Sequence, residues 1–170
     1  MTFKESVFQK LFIAADQYSK LIGTDFVITS SEFKKCITYV LRFHKDNFLH
    51  LTGVNTKLHA KDFFIKCIEK SLVLNDFDCE CTDEIKGKVK EKMKNLSEIG
   101  SFFDKELVFQ ESFEKNRVKC KIATSDGKCT LGFICIGKNV HIPLTLLNKN
   151  QIRVENAIKN FKILKKRIPH

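Results

Sequence analysis

Between Arg42 and Thr52 the chain carries an arginine, two histidines (His44 and His50) and a hydroxyl. An imidazole, with an ordinary pKa of about 6.5, passes protons near neutrality. A guanidinium grips phosphate oxygens with a two-pronged fork, and a hydroxyl can hydrogen-bond a third oxygen. Together these types suit acid–base chemistry on a phosphodiester, provided the backbone puts them on one face. From Ile37 the residues alternate: Ile37, Tyr39, Leu41 and Phe43 point one way, and Thr38, Val40, Arg42 and His44 the other. That period of two, in β-branched and aromatic residues, predicts a half-buried strand. Lys45-Asp46-Asn47 is a polar break, and Phe48–Thr52 alternates again before Gly53. A hairpin closed over the break sets Phe43 opposite Leu49 and Leu41 opposite Leu51. Its other face then sets Arg42 opposite His50, with His44, Phe48 and Thr52 as neighbours.

A second cationic group surrounds Asp126-Gly127, a two-residue turn signal between alternating runs. Counting outward pairs Thr124 with Cys129, Ile122 with Leu131, Cys120 with Phe133 and Val118 with Cys135, an apolar side that packs on the core. The opposite side carries Arg117, Lys119 and Lys121 in a row, beside Thr130 and Gly132. Such a row fits a solvated sheet face as well as a polyanion contact. From Lys149 onward the chain has seven Lys or Arg against one Glu, Lys162 and Lys165 among them. Asp76, Asp78 and Glu80 share one side if extended and could hold a divalent cation. With no histidine or further carboxylate cluster beside them, a polar turn before the next helix is the simpler reading.

The elements that must position these groups follow the same rules of period and capping. Thr2–Ile22 is an amphipathic helix, with Thr2 and Glu5 as its capping box and Gly23 as its stop. Asp25–Thr29 reads as an edge strand. A second helix runs from His59, a solvated or capping residue, through Leu72, and a third starts at Thr82 with Ile85, Val89, Met93 and Leu96 at helical spacing. After Gly100 strands take over: Lys105–Ser112, the Arg117–Leu131 hairpin, Val140–Leu147 with Pro143 marking an edge or bulge, and a last strand at Phe161–Leu164. Helices ahead of a mostly antiparallel sheet of four to five strands make an α+β fold. At 170 residues the expectation is one domain, 1–170, ending in the basic segment 149–170. Sixteen phenylalanines and no tryptophan make it a phenylalanine core. A formal charge of +10 favours polyanionic partners: RNA, DNA or an anionic membrane surface. Seven cysteines without a regular framework read as reduced, mostly buried thiols, and no signal pattern or membrane-length apolar run appears, so the expected location is the cytoplasm.

Phe48–Val54 (FLHLTGV), followed by a lysine and the AKDFF segment Ala60–Phe64, is similar to a phage-associated nuclease group. That group belongs to the barnase–EndoU–colicin–RelE-like (BECR) superfamily of small metal-independent RNases. The resemblance implies helices first, then an antiparallel sheet whose exposed face holds the site. It also implies an endoribonuclease that needs neither metal nor cofactor and leaves a 2′,3′-cyclic phosphate, as a toxin or effector of a phage or mobile element. Its substrate would be RNA, tRNA among the candidates, and its partner an antitoxin or a host nucleoprotein. His50 and Thr52 carry over directly, with His50 the general base or the acid. Arg42 or Arg117 would fork the phosphate, Thr52 and Thr130 would bond a non-bridging oxygen, and Lys119, Lys121, Lys162 and Lys165 would track the backbone. No second histidine is anchored by the resemblance, His44 being only a neighbour. That leaves open an inactive relative, or a phage inhibitor, that binds a host RNA or nucleoprotein without cutting it.

Overall fold

The computed structural model of the chain describes residues 1–168, so the last two residues of the basic segment lie outside the described part. In chain order the elements are α1 (Phe3–Ser19), β1 (Thr24–Thr29), β2 (Thr38–Arg42), α2 (Phe48–Thr52), β3 (Asn55–Thr56), α3 (Ala60–Glu69), β4 (Phe77–Asp78) and α4 (Asp83–Leu96). Then come β5 (Val108–Lys115), β6 (Val118–Ser125), β7 (Cys129–Cys135), β8 (Val140–Asn148) and β9 (Lys162–Arg167). They fall into two compact units, each assembled from separated stretches: Met1–Lys20 with His44–Phe102, and Leu21–Phe43 with the described chain from Phe103 onward.

The first unit is helical. Thr2 caps α1 by accepting from the Glu5 N–H at 3.1 Å, and Thr82 caps α4 by accepting from Ile85 at the same distance. Burial follows the helical stripe: Val7, Leu11, Ala14, Ala15 and Tyr18 on α1, and Val89, Met93 and Leu96 on α4. Its centre is aromatic, with the Phe48 ring 5.4 Å from Tyr18 and 5.3 Å from Phe64. These separations suit edge and tilted contacts between ring quadrupoles.

Here the expected hairpin fails. Strand β2 forms, but Phe48–Thr52 is a helix, and its buried residues are Phe48, Leu51 and Thr52. A spacing of i, i+3, i+4 is a helix face, and FLHLT satisfies that period as well as a period of two. Gly53 closes the turn at φ 76°, a left-handed conformation that glycine adopts without a Cβ penalty.

The second unit is a seven-stranded sheet in the order β5-β6-β7-β8-β2-β1-β9, larger than the four to five strands expected. Every pairing is antiparallel except β2 with β8. The extra strands come from β2 and β1 joining the C-terminal meander, with β9 closing one edge. One face is packed with Phe26, Phe43, Phe103 and Phe133, Phe26 stacking on Phe103 at 4.1 Å. The β6–β7 hairpin forms with its turn wider than expected, Ser125 pairing with Thr130 and Ile122 with Phe133. Asp126 explains the width, because its carboxylate accepts from both Lys128 (2.9 Å) and Cys129 (3.0 Å) and spans the longer loop. The slip is two residues, so from Ile122 to Ser125 the faces keep their assignment, and Cys120 departs from it. Pro143 does sit beside an irregularity, since it pairs with Phe133 where the β7–β8 register shifts.

Candidate active site

The residues singled out in the sequence fall in both units. His44, His50 and Thr52 belong to the helical unit, and Arg42 and the later cations to the sheet unit. His50 is exposed on α2. Thr52 is buried, donating to the Leu49 carbonyl at 2.6 Å and accepting from Val54, which occupies its hydroxyl in ending α2. His44 stands at the entry to the turn Lys45–Asn47, its N–H bonded to the Asn47 side chain. Arg42 faces Asp25 across β1–β2 and forms a fork to it at 2.7 and 2.8 Å, on the sheet face opposite Tyr39 and Leu41.

The expected cationic row is broken up as well. Asn116 and Arg117 both have positive φ, 51° and 68°, so Arg117 is part of the β5–β6 turn rather than the strand. Thr130 is fully buried, donating to Lys149 and accepting from Gln151, both at 2.9 Å. On edge strand β9, Lys162 is exposed and Lys165 pairs with Asp104. Asp76 caps the Val73 N–H and faces Lys66 at 3.8 Å, as a turn residue should. Among the described residues no three His, Cys, Asp or Glu side chains gather closely enough to hold a metal ion.

Lys121 is different. It lines a cleft of about 740 Å³ in the sheet unit, with Lys35, Cys36, Tyr39, Ser112 and His141. The reason is a break in the pleat of β6. Cys120 and Ala123 pack in one cluster, although a regular strand would send residues three apart to opposite faces. Ala123 pairs with Gly132, where a Cβ would come within 2.5 Å of the Cys120 Sγ, so both side chains occupy that face. Facing the break, Ser112 on β5 takes φ 54°, and the β5–β6 pairing skips from Glu111–Ile122 to Phe113–Cys120. The irregularity leaves Lys121 to line the cleft.

His141 is 3% exposed, and its ring centroid lies 5.1 Å from that of Tyr39. Its Nδ1 is 3.2 Å from the Asn139 carbonyl oxygen. A carbonyl only accepts, so Nδ1 carries the hydrogen and the neutral ring keeps its lone pair on Nε2. Burial lowers the imidazole pKa; the Asn139 and Val40 backbone works against it, and the Lys121 charge lowers it further, leaving it below its ordinary value. Asn139 is fixed in turn by donating its side-chain N–H to the Thr38 carbonyl at 2.7 Å. Tyr39, 1% exposed, donates its phenol to Glu111 Oε2 at 2.5 Å. Burial first, and then Glu111, push that phenol's pKa up. Burial alone would raise the Glu111 carboxyl, but Tyr39 and the backbone N–H groups of Lys34, Lys35 and Cys36 together hold it below its usual range.

The sequence offered little to find this cluster. Along Val140–Leu147 the strongly apolar phase is Val140, Ile142, Leu144 and Leu146, so alternation assigns His141 to solvent. Glu111 meets its partners at Lys34 and Lys35 across more than seventy residues of chain, with no local spacing to mark it. A second cavity, about 400 Å³ between α1 and α4, is walled by Phe3, Val7 and Met93 and rimmed by Lys10, Lys86 and Lys90. It presents no imidazole or phenol, and its ionisable groups are these lysines and Asp83. The seven cysteines are all free thiols, with Cys67, Cys79, Cys120 and Cys129 buried. Burial pushes the Cys67 thiol up to about 12 and Cys120 to about 11.

A buried histidine, a cation and a phenol thus share one cleft of a largely antiparallel sheet, groups able to move protons and to meet negative charge. The chain belongs to the PBECR4 family, the phage-Barnase-EndoU-ColicinE5/D-RelE like nucleases, whose model matches residues 10–168. It is thus a member of a nuclease family, as the FLHLTGV resemblance implied. No curated protein and no solved structure matches the chain. Among the described residues no helix is long and apolar enough to cross a membrane.

Proposed function

We propose that the protein is a metal-independent endoribonuclease, acting in the cytoplasm as a toxin or effector of a phage or mobile element, with its site in the His141 cleft. RNA supplies its own nucleophile, so the enzyme need only move two protons and steady the charge on the phosphorane. The observation that carries the reading is His141: nearly buried, lining a cleft with Lys121, its tautomer set by the Asn139 carbonyl. Neutral Nε2 takes the 2′-hydroxyl proton. The ammonium of Lys121 meets the charge growing on the phosphate, with Lys35 beside it. Tyr39, whose raised pKa keeps its proton in place, gives that proton to the departing 5′-oxygen, an alkoxide more basic than a phenol. Lys119, exposed on β6, extends the cationic track for the backbone, whereas Lys162 pairs with Thr29 on the sheet face opposite Tyr39. tRNA is a candidate substrate, and an acidic antitoxin a candidate partner for so basic a chain.

The test is cleavage of total RNA and tRNA in excess EDTA by wild type, His141→Ala and His50→Ala, with the product ends analysed. The expected result is 2′,3′-cyclic ends from wild type, a loss of about 10²–10⁴-fold in His141→Ala, as for other removed acid–base groups, and near-normal cleavage by His50→Ala. The reverse pattern moves the site to the helical unit. Cleavage that EDTA abolishes and a divalent cation restores sinks metal independence. Binding without cleavage by all three identifies an inactive RNA binder.

A further inference from the structure

The loop before β2 contains an anion site that a residue of the chain itself already fills. Three consecutive backbone N–H groups converge on one carboxylate. Lys34 donates to Glu111 Oε1 at 2.6 Å, Lys35 donates to Oε2 at 2.9 Å, and the Cys36 N–H adds to the same group. The Tyr39 hydroxyl completes the set at 2.5 Å. Successive N–H groups aimed into one concavity form a nest, a structure that elsewhere binds phosphate. The Glu111 carboxylate thus presents two anionic oxygens where a phosphodiester would present its two non-bridging ones. The position opens onto function, because Lys35, Cys36 and Tyr39 also line the cleft that holds His141 and Lys121. The residues lining that cleft include two lysines and no carboxylate. Glu111 also directly precedes Ser112, the left-handed residue where β5 loses its regular pairing, so its tether is a point where the strand already departs from regularity.

We infer that the Lys34–Cys36 nest is a phosphate-binding subsite for RNA, and that Glu111 is its resting occupant, displaced when a backbone phosphate enters. This rests on the endoribonuclease reading for its substrate and adds a consequence to it. While Glu111 is in place the Tyr39 proton is committed to it; once phosphate replaces the carboxylate, that O–H is free to face the substrate. A tethered carboxylate competes at high effective concentration. Free phosphate therefore binds wild type poorly, and an RNA chain anchored by Lys121 and the cleft displaces Glu111 more readily.

The experiment reads binding, not cleavage. Backbone amide signals of Lys34, Lys35 and Cys36 are followed by NMR in wild type, Glu111→Ala and Glu111→Gln during titration with inorganic phosphate, and separately with a 2′-deoxy trinucleotide, which lacks the nucleophile. The expected result is that both probes shift these amides, with a Kd at least tenfold lower in Glu111→Ala than in wild type. Glu111→Gln, which keeps the side chain's volume and one acceptor oxygen, moves the same way by less and serves where the alanine variant does not fold. Unmoved amides at saturating probe in a folded variant overturn the inference and make Glu111 a fixed clamp on the loop. Shifts with inorganic phosphate alone identify an adventitious anion site only, and overturn the RNA subsite. Because neither probe is cut, a failure of the nuclease reading leaves this result standing, and the two failures are told apart.

Discussion

Each side chain at the site is defined by what it already bonds. Arg42, Thr52 and Thr130 have the right chemistry for phosphate, yet Asp25, the Leu49 carbonyl and the Lys149 carbonyl occupy them. Their residue types were legible in the sequence, but their partners were not. His141 is the converse, a residue unmarked by its spacing whose burial and single fixed nitrogen suit it to take a proton. A pH dependence follows from its lowered pKa. Its neutral form is the base, so the acidic limb of kcat/KM lies below the ordinary histidine value of about 6.5. Stability has the same sign. The unfolded chain protonates this histidine first, so the native state loses stability as pH falls from the unfolded pKa to the folded one. In His141→Gln that slope disappears from a urea-denaturation series across this range. Glu111, also lowered, adds a separate loss in the carboxylate range that His141→Gln leaves in place. An acidic limb above pH 7 in wild type rules out His141 as the base.

At the level of elements, period and capping were enough for α1, α3, α4 and most of the sheet strands, because each carries one dominant pattern. Short segments were the exception. FLHLT has only five residues, and its apolar positions satisfy strand and helix alike, so tertiary packing under Tyr18 and Phe64 decides between them. The break in β6 was also hidden, since it depends on Ser112 in the neighbouring strand and on the absence of a Cβ at Gly132. The helix and the hairpin differ in a measurable way. The hairpin buries Leu49 and Leu51 on the same side, whereas the helix buries Leu51 fully and leaves Leu49 partly exposed. Leu51→Ala should therefore cost about 2–5 kcal/mol of unfolding free energy, as a buried leucine does. Leu49→Ala should cost about 1 kcal/mol or less, because only part of its side chain leaves water. Equal losses in chemical denaturation would restore the strand.

At the scale of the molecule the question is whether the charge of +10 acts as a diffuse field or through particular lysines. Composition alone supports either reading, since an excess of lysine attracts any polyanion. The structure separates the lysines by circumstance: Lys121 lines the cleft, Lys165 is paired with Asp104, and Lys86 lies on the helical unit over the Phe3 ring at 5.0 Å. Counterion release turns that difference into numbers, because each phosphate neutralised on a single strand contributes about −0.7 to the slope of log K against log salt. Binding of a fluorescent 2′-deoxy oligonucleotide, measured by anisotropy over a salt series, should therefore show a shallower slope in Lys121→Ala by about 0.7. Lys165→Ala changes it less, since its partner already holds the charge, and Lys86→Ala leaves it near wild type. Equal small changes in all three variants would mean that the chain attracts nucleic acid through its overall field, with the His141 cleft contributing no particular phosphate contact.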